Sequence, residues 1–144
     1  MTQRRIVFVT GGAGFIGSNI VAKLAEDRDL DVVVCDRLIV GVNSDASVRE
    51  LKGEGRPVND LESRALVLAG LRSVDLVAPF EELTPLKLIE AARPDVLIKG
   101  ADYTEDEVVG GAEVKSWGGE VKLAEIVEGY STTAAIAKMK VGRQ

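Results

Sequence analysis

The sequence predicts one doubly wound α/β domain, a parallel sheet of about five strands with helices on both faces. Three observations carry this expectation. Short apolar runs alternate with helical patterns along the whole chain. A strand, a glycine-rich loop and an amphipathic helix open it. The chain has 144 residues, which suits a single domain able to bury about 70% of its unfolded surface.

Each element follows from its residues. Ile6–Val9 is a β-branched and aromatic run, fit for a central buried strand. Gly14–Ala25 carries apolar residues at Phe15, Ile16, Ile20, Val21 and Leu24, which is helical spacing. Asp31–Cys35 and Leu38–Val42 both read as strands. Parallel neighbours need a crossover of about a dozen residues, so the stretch is expected to be one long bent strand, or else one run is displaced. Asn59-Asp60-Leu61-Glu62 reads as a capping box opening a helix through Leu71, with Leu61, Ala65, Leu68 and Leu71 on its buried side. Leu76–Pro79 is a short strand. Thr84-Pro85 predicts a cap and first-turn proline before a helix to Ala92. Asp95–Lys99 is a strand, Thr104–Glu107 opens a helix, Gly118-Gly119 ends it, and Val121–Val127 is the last strand. Ser131 then caps a helix to about Lys140. The chain reads as one unit, 1–144, with a change of character between 1–37 and 38–144.

Composition removes several function classes. The net charge is −5, with 18 Lys and Arg against 23 Asp and Glu, which argues against nucleic acid or an anionic membrane as partner. No apolar run approaches a membrane span. Cys35 is the single cysteine, so an internal disulfide cannot form and a cytoplasmic setting is expected. There is no histidine, so a zinc or other transition-metal site is not expected. A small-molecule nucleotide is the expected partner, and self-association stays open.

The first chemical motif is Thr10-Gly11-Gly12-Ala13-Gly14-Phe15-Ile16-Gly17-Ser18. Gly11 permits the tight turn, Gly14 lets backbone approach a diphosphate, and Gly17 lets helix pack on strand. The helix start offers free N–H groups and partial positive charge. Asp36 lies where an acidic group usually meets an adenosine ribose. These features make the fold Rossmann-like. The candidate contacts are Gly11, Gly14, Phe15, Ile16, Gly17 and Asp36, with a purely structural turn as the alternative. TGGAGFIGSNIVAKL followed by DVVVCDRL, within residues 5 to 38, resembles the ADP-heptose 6-epimerase branch of the extended short-chain dehydrogenases. That resemblance implies NAD(P) contacts. It implies no epimerase or other oxidoreductase activity, because neither Tyr103 nor Tyr130 is followed four residues later by the lysine of the catalytic pair.

From Asp36 to residue 139 the segments DRLIVGVNSD, KGEGRPVNDLESR, PDVLIKGADYT and VEGYSTTAAI are similar to heptose 1-phosphate adenylyltransferase domains of the nucleotidyltransferase family. The resemblance implies ATP or ADP, with Mg²⁺, held by Ser131, Thr132 and Thr133 at a helix start. It also implies sugar or nucleotide contacts at Asn43 and Asp45. Lys99, at the end of a buried strand, can pair with a phosphate. Plainer readings stand beside these. Ser131 can be an ordinary cap, Lys99 a snorkelling lysine and Asp45 the cap of the next helix. Lys52 and Arg56 can clamp phosphate or form a solvated basic loop. Arg64 reads as a helix-surface charge, and Trp117 as a packing residue.

The chain departs from that family at the loop after its first strand. The resemblance implies a His-x-Gly-His loop there, and this sequence holds Gly11–Ser18 instead. Loss of one comparable donor costs other enzymes about 100- to 1000-fold. A recombined, nucleotide-binding domain with nucleotidyl transfer lost or severely weakened is therefore expected. The alternatives are an active adenylyltransferase that uses Lys52, Arg56 or Lys99 with Mg²⁺, and an engineered hybrid with no ligand.

Overall fold

The structure, a computed structural model, describes residues 5–10, 35–100 and 104–124, with backbone alone at residues 5, 10, 35 and 36. The glycine loop Gly11–Ser18, the helix expected over 14–25, residues 31–34 and the segment holding Ser131, Thr132 and Thr133 lie outside the described residues.

Five strands form one parallel sheet: β1 (Arg5–Thr10), β2 (Cys35–Asn43), β3 (Leu76–Phe80), β4 (Val96–Gly100) and β5 (Glu120–Ala124), in the order β3-β2-β1-β4-β5. Strand order reverses at β1, the arrangement that opens a crevice beyond the carboxyl ends in doubly wound sheets. The described helices are α1 (Asp45–Lys52), α2 (Leu61–Ala69), α3 (Leu86–Ala92) and α4 (Gly111–Ser116), with a 3₁₀ turn at Glu105–Glu107. None of them is long and apolar enough to cross a membrane.

Strand alternation divides the core between the two faces. Val7 and Val9, Leu38, Val40 and Val42, and Val96 and Ile98 point to one face, where Leu68 of α2 joins them. Phe8 and Leu97 point to the other and meet Ile89 of α3, Val114 of α4, Val108 and Val121. The central strands are apolar on both sides because both sides are covered.

The stretch around residue 36 is one continuous strand over Cys35–Asn43. Its pairing with β1 moves from Arg5↔Cys35 to Ile6↔Arg37, so Asp36 is an extra residue in the ladder. The described part of the stretch, Cys35–Asn43, is thus a single strand that carries one irregularity.

Several caps differ from expectation. Helix α2 begins after Asp60, whose carboxylate accepts from Ser63 N at 2.8 Å, and it ends at Ala69. Asn59 is not the cap. Thr84 does not cap α3; Pro85 itself occupies the cap position without a side-chain bond. At Thr104 the Glu107 carboxylate accepts from both the backbone N and Oγ1 at 2.9 Å, but this closes only a 3₁₀ turn. The helix proper waits for Gly111.

Two glycines are fixed by position. Gly110 has φ of 86°, and a Cβ there would lie 2.6 Å from Ile89 Cδ1. At Gly119 a Cβ would lie 2.9 Å from the Asp95 carbonyl oxygen, where β5 comes alongside the start of β4.

Candidate functional site at the carboxyl edge of the sheet

All five strands run the same way, so Thr10, Asn43, Phe80, Gly100 and Ala124 end on one edge. Two of the expected site residues meet it from either side of β1. Thr10 pairs with Gly41, and Val9 pairs with Ile98, so Lys99 is level with Gly41 across β1. Asn43 stands two residues further along β2. Two inter-strand steps of about 4.8 Å and two residues of about 3.3 Å each put the Asn43 and Lys99 Cα atoms about 12 Å apart. That separation leaves room between them at the edge of the sheet. By alternation both residues lie on the face of Phe8 and Leu97. Lys99 is half-buried.

The turn after β2 is tightly bonded. Ser44 N donates to Phe80 O at 2.8 Å, which ties the end of β2 to the end of β3. Ser44 is the cap of α1, its Oγ accepting from Ser47 N at 3.2 Å. The buried Ser47 returns a hydroxyl bond to Ser44 O, and Asn43 Nδ2 donates to Ser47 Oγ at 3.1 Å. The reading of Asp45 as the cap is therefore corrected: a serine hydroxyl one residue earlier has the cap geometry. Asp45 occupies the first turn, where its charge also suits the helix dipole.

Asp45 instead faces Arg64. Arg64 Nη2 donates to Asp45 Oδ1 at 2.5 Å and to Asn43 O at 2.9 Å, and Nε donates to Asn59 O at 3.1 Å. The Arg64 side chain is 7% exposed and that of Asp45 34%. The expectation of a helix-surface charge at Arg64 is overturned, because the face of α2 that holds Leu61 and Leu68 also turns Arg64 inward. Arg64 is the residue that sequence reasoning missed. Its spacing was the available signal: positions 61, 64 and 68 share one helical face.

The basic loop joins the same region. It runs from Lys52 at the end of α1 to Asp60, with Gly53 and Gly55 at φ of 83° and 81°. Lys52 is exposed and Arg56 half-buried. Asn59, near its end, is held by Arg64. Trp117 packs as expected, its Nε1 donating to Pro94 O at 3.0 Å. For Asp36 only the backbone is described, at the opposite end of β2 from Asn43. Among the described residues no cluster of three His, Cys, Asp or Glu could hold a metal ion. Asp45, just beyond the end of β2, is engaged by Arg64.

The comparisons agree with this architecture. A family model described as cytidylyltransferase-like matches residues 19–139. The bifunctional protein HldE of Koribacter versatilis is 60% identical over 136 residues, covering 94% of this chain and 27% of that protein. HldE of Rhodopseudomonas palustris is 59% identical over 139 residues, covering 96% and 28%. HldE of Acidiphilium cryptum is 62% identical over 106 residues, covering 74% and 22%. The chain thus spans about a quarter of the length of these curated relatives. A crystal structure of the lipopolysaccharide core biosynthesis protein from Thermoplasma volcanium GSS1 superposes with a TM-score of 0.63 at 24% identity, covering 87% of this chain and 98% of that one. It shares the fold. The family match and the longer alignments run through residue 36 as one stretch, and they give the epimerase-like reading of residues 5–38 no support.

Proposed function

The chain belongs to the cytidylyltransferase-like family, and from that premise we propose that it is a nucleotidyltransferase-type domain that binds ATP and a sugar phosphate at the carboxyl edge of its sheet. The observation that carries this reading is the pair of Asn43 and Lys99, set about 12 Å apart on either side of β1, where the strand order reverses. The similarity to HldE supports a heptose phosphate as the second substrate.

The transfer would form a bond from a sugar-phosphate oxygen to the α-phosphorus of ATP. The α–β bridge would break and pyrophosphate would leave. Lys99 would draw negative charge from the phosphate chain. Asn43, whose Nδ2 is engaged by Ser47, would offer Oδ1 to a hydroxyl of nucleotide or sugar. Gly11–Gly17 and Ser131, Thr132 and Thr133 would supply backbone N–H and hydroxyl donors to the phosphates. Mg²⁺ would arrive with the nucleotide, neutralising phosphate charge. Asp45, held by Arg64, supports the turn rather than touching ligand. NAD(P) forms no part of this reading.

A second reading keeps binding and removes turnover. It is favoured by one observation: the chain contains no histidine, and amide dipoles alone do not replace positioned cationic donors. One experiment separates the two. Purified chain is titrated with ATP, CTP, ADP and NAD, then assayed for pyrophosphate release from ATP and heptose 1-phosphate. Release well above that of Lys99→Ala establishes the first reading. ATP binding with no release above that control establishes the second. No binding at millimolar nucleotide defeats both.

A further inference from the structure

We propose that Arg64 is a positioning residue that locks the turn Asn43–Asp45 and the end of the basic loop into one arrangement, so that a nucleotide meets a preformed edge. The inference rests on the nucleotide-binding reading above and concerns a residue that reading does not need.

Three bonds from one guanidinium reach three segments. Nη2 holds the carbonyl of Asn43, the last residue of β2, and the carboxylate of Asp45, the first residue of α1. Nε holds the carbonyl of Asn59, just before the cap of α2. Asn43 is thereby fixed from two sides, its carbonyl by Arg64 and its amide by Ser47. Asp60, next to Asn59, caps α2. The basic loop, with Lys52 and Arg56, therefore closes against the same cation that sets Asn43.

Stability alone does not call for arginine here. Leu61 and Leu68 pack on the same face of α2, and an apolar residue of similar volume in place of a buried ion pair is often neutral or stabilising. What a planar guanidinium adds is direction: donors in a fixed fork that a lysine cannot reproduce. Its partners are two backbone carbonyls and one carboxylate, all belonging to segments that border the proposed site. A residue serving only the core would have no need to reach them.

The test uses the full chain with Arg64→Lys and Arg64→Ala. Amide hydrogen exchange is measured without ligand, and ATP affinity is measured by calorimetry. The amides of Ser44, Ser47 and Val48 report the turn, and those of Ser63 and residue 64 report the loop end. Arg93 and Val114 amides, bonded within α3 and at the start of α4, serve as controls. In Arg64→Lys both groups should lose protection together by about tenfold while the controls hold. ATP affinity should fall by about tenfold. Millimolar guanidinium should restore most of the affinity of Arg64→Ala, which a loss of packing would not allow.

Unchanged protection in either group, a uniform loss that includes the controls, or parent-like ATP affinity in Arg64→Lys would each overturn the proposal. If Arg64→Ala does not fold, Arg64→Lys decides alone. If the parent chain binds no ATP, the nucleotide reading is what has failed. The paired exchange response then decides whether Arg64 couples the two segments.

Discussion

At the scale of single residues, the pair Arg64–Asp45 shows how a charge can belong to the interior. Arg64 is nearly buried while Asp45 keeps about a third of its surface in water, so screening reduces what the pair contributes. Asp45→Asn should cost about 1–2 kcal/mol, well under the loss for a fully buried pair broken on one side. Urea unfolding of the two proteins would show it, and equal midpoints would mean the charge contributes nothing. The sequence carried half of this information. Arg64 shares the helical face of Leu61 and Leu68, but periodicity does not name the acceptors, which come from Asn43 and Asp45, 21 and 19 residues away. Gly110 makes a second prediction. Its left-handed backbone and the closeness of Ile89 Cδ1 mean that Gly110→Ala should lose about 2–4 kcal/mol. A melting temperature equal to the parent's would show that Ile89 moves aside at no cost.

At the scale of elements, caps proved harder to place than strands. Hydrophobic runs identified β3 and β4 to within a residue: β4 is buried between two strands, and β3, at the sheet edge, still reads as a short apolar run. Caps depend on which of several adjacent polar residues adopts the right backbone angles, and that is settled by how the preceding loop arrives. Hence Ser44 rather than Asp45 opens α1, and Asp60 rather than Asn59 opens α2. The Ser63 backbone N–H, followed by the Ser63 hydroxyl, holds the Asp60 carboxyl below its usual range. Because its folded pKa lies below the unfolded one, the folded state binds fewer protons as the pH drops through that window. The stability it contributes is therefore full above about pH 4, the ordinary aspartate value, and fades below it. Asp60→Ala should be less stable than the parent at neutral pH, and the gap should narrow under acid. A gap that is constant from neutral to acidic pH would contradict the assignment. Strand β5 gives a sharper test. Gly119→Ala would press a methyl against the carbonyl oxygens of Asp95 and Pro94, which are backbone and cannot swing away. A loss of about 1–3 kcal/mol is expected, read from denaturant midpoints.

At the scale of the whole molecule, the sheet was legible and the edge that serves it only in part. Alternation of strand and helix predicted a parallel sheet covered on both faces, and the structure has five parallel strands with separate cores on either side. That Asn43 and Lys99 stand at the carboxyl edge was readable because each closes an apolar strand run. The coupling among β2, α1 and the basic loop was not readable, since it depends on tertiary contact. If the edge binds ATP, saturation at about 100 times Kd should stabilise the fold by about 2.7 kcal/mol, and raise its melting temperature by about 5–10 °C. An unmoved transition at that concentration would count against nucleotide binding.

Trp117 has a practical bearing on all such measurements. It is the chain's single tryptophan, clasped between the Pro94 carbonyl and the Arg93 guanidinium 5.1 Å from its ring. Pro94 precedes β4, so the indole sits at the rim where strands begin, across the sheet from Asn43. Intrinsic emission will therefore track loss of the native state faithfully and be nearly blind to a guest arriving at the other rim. A fluorophore for occupancy has to be planted beside α1 or the basic loop.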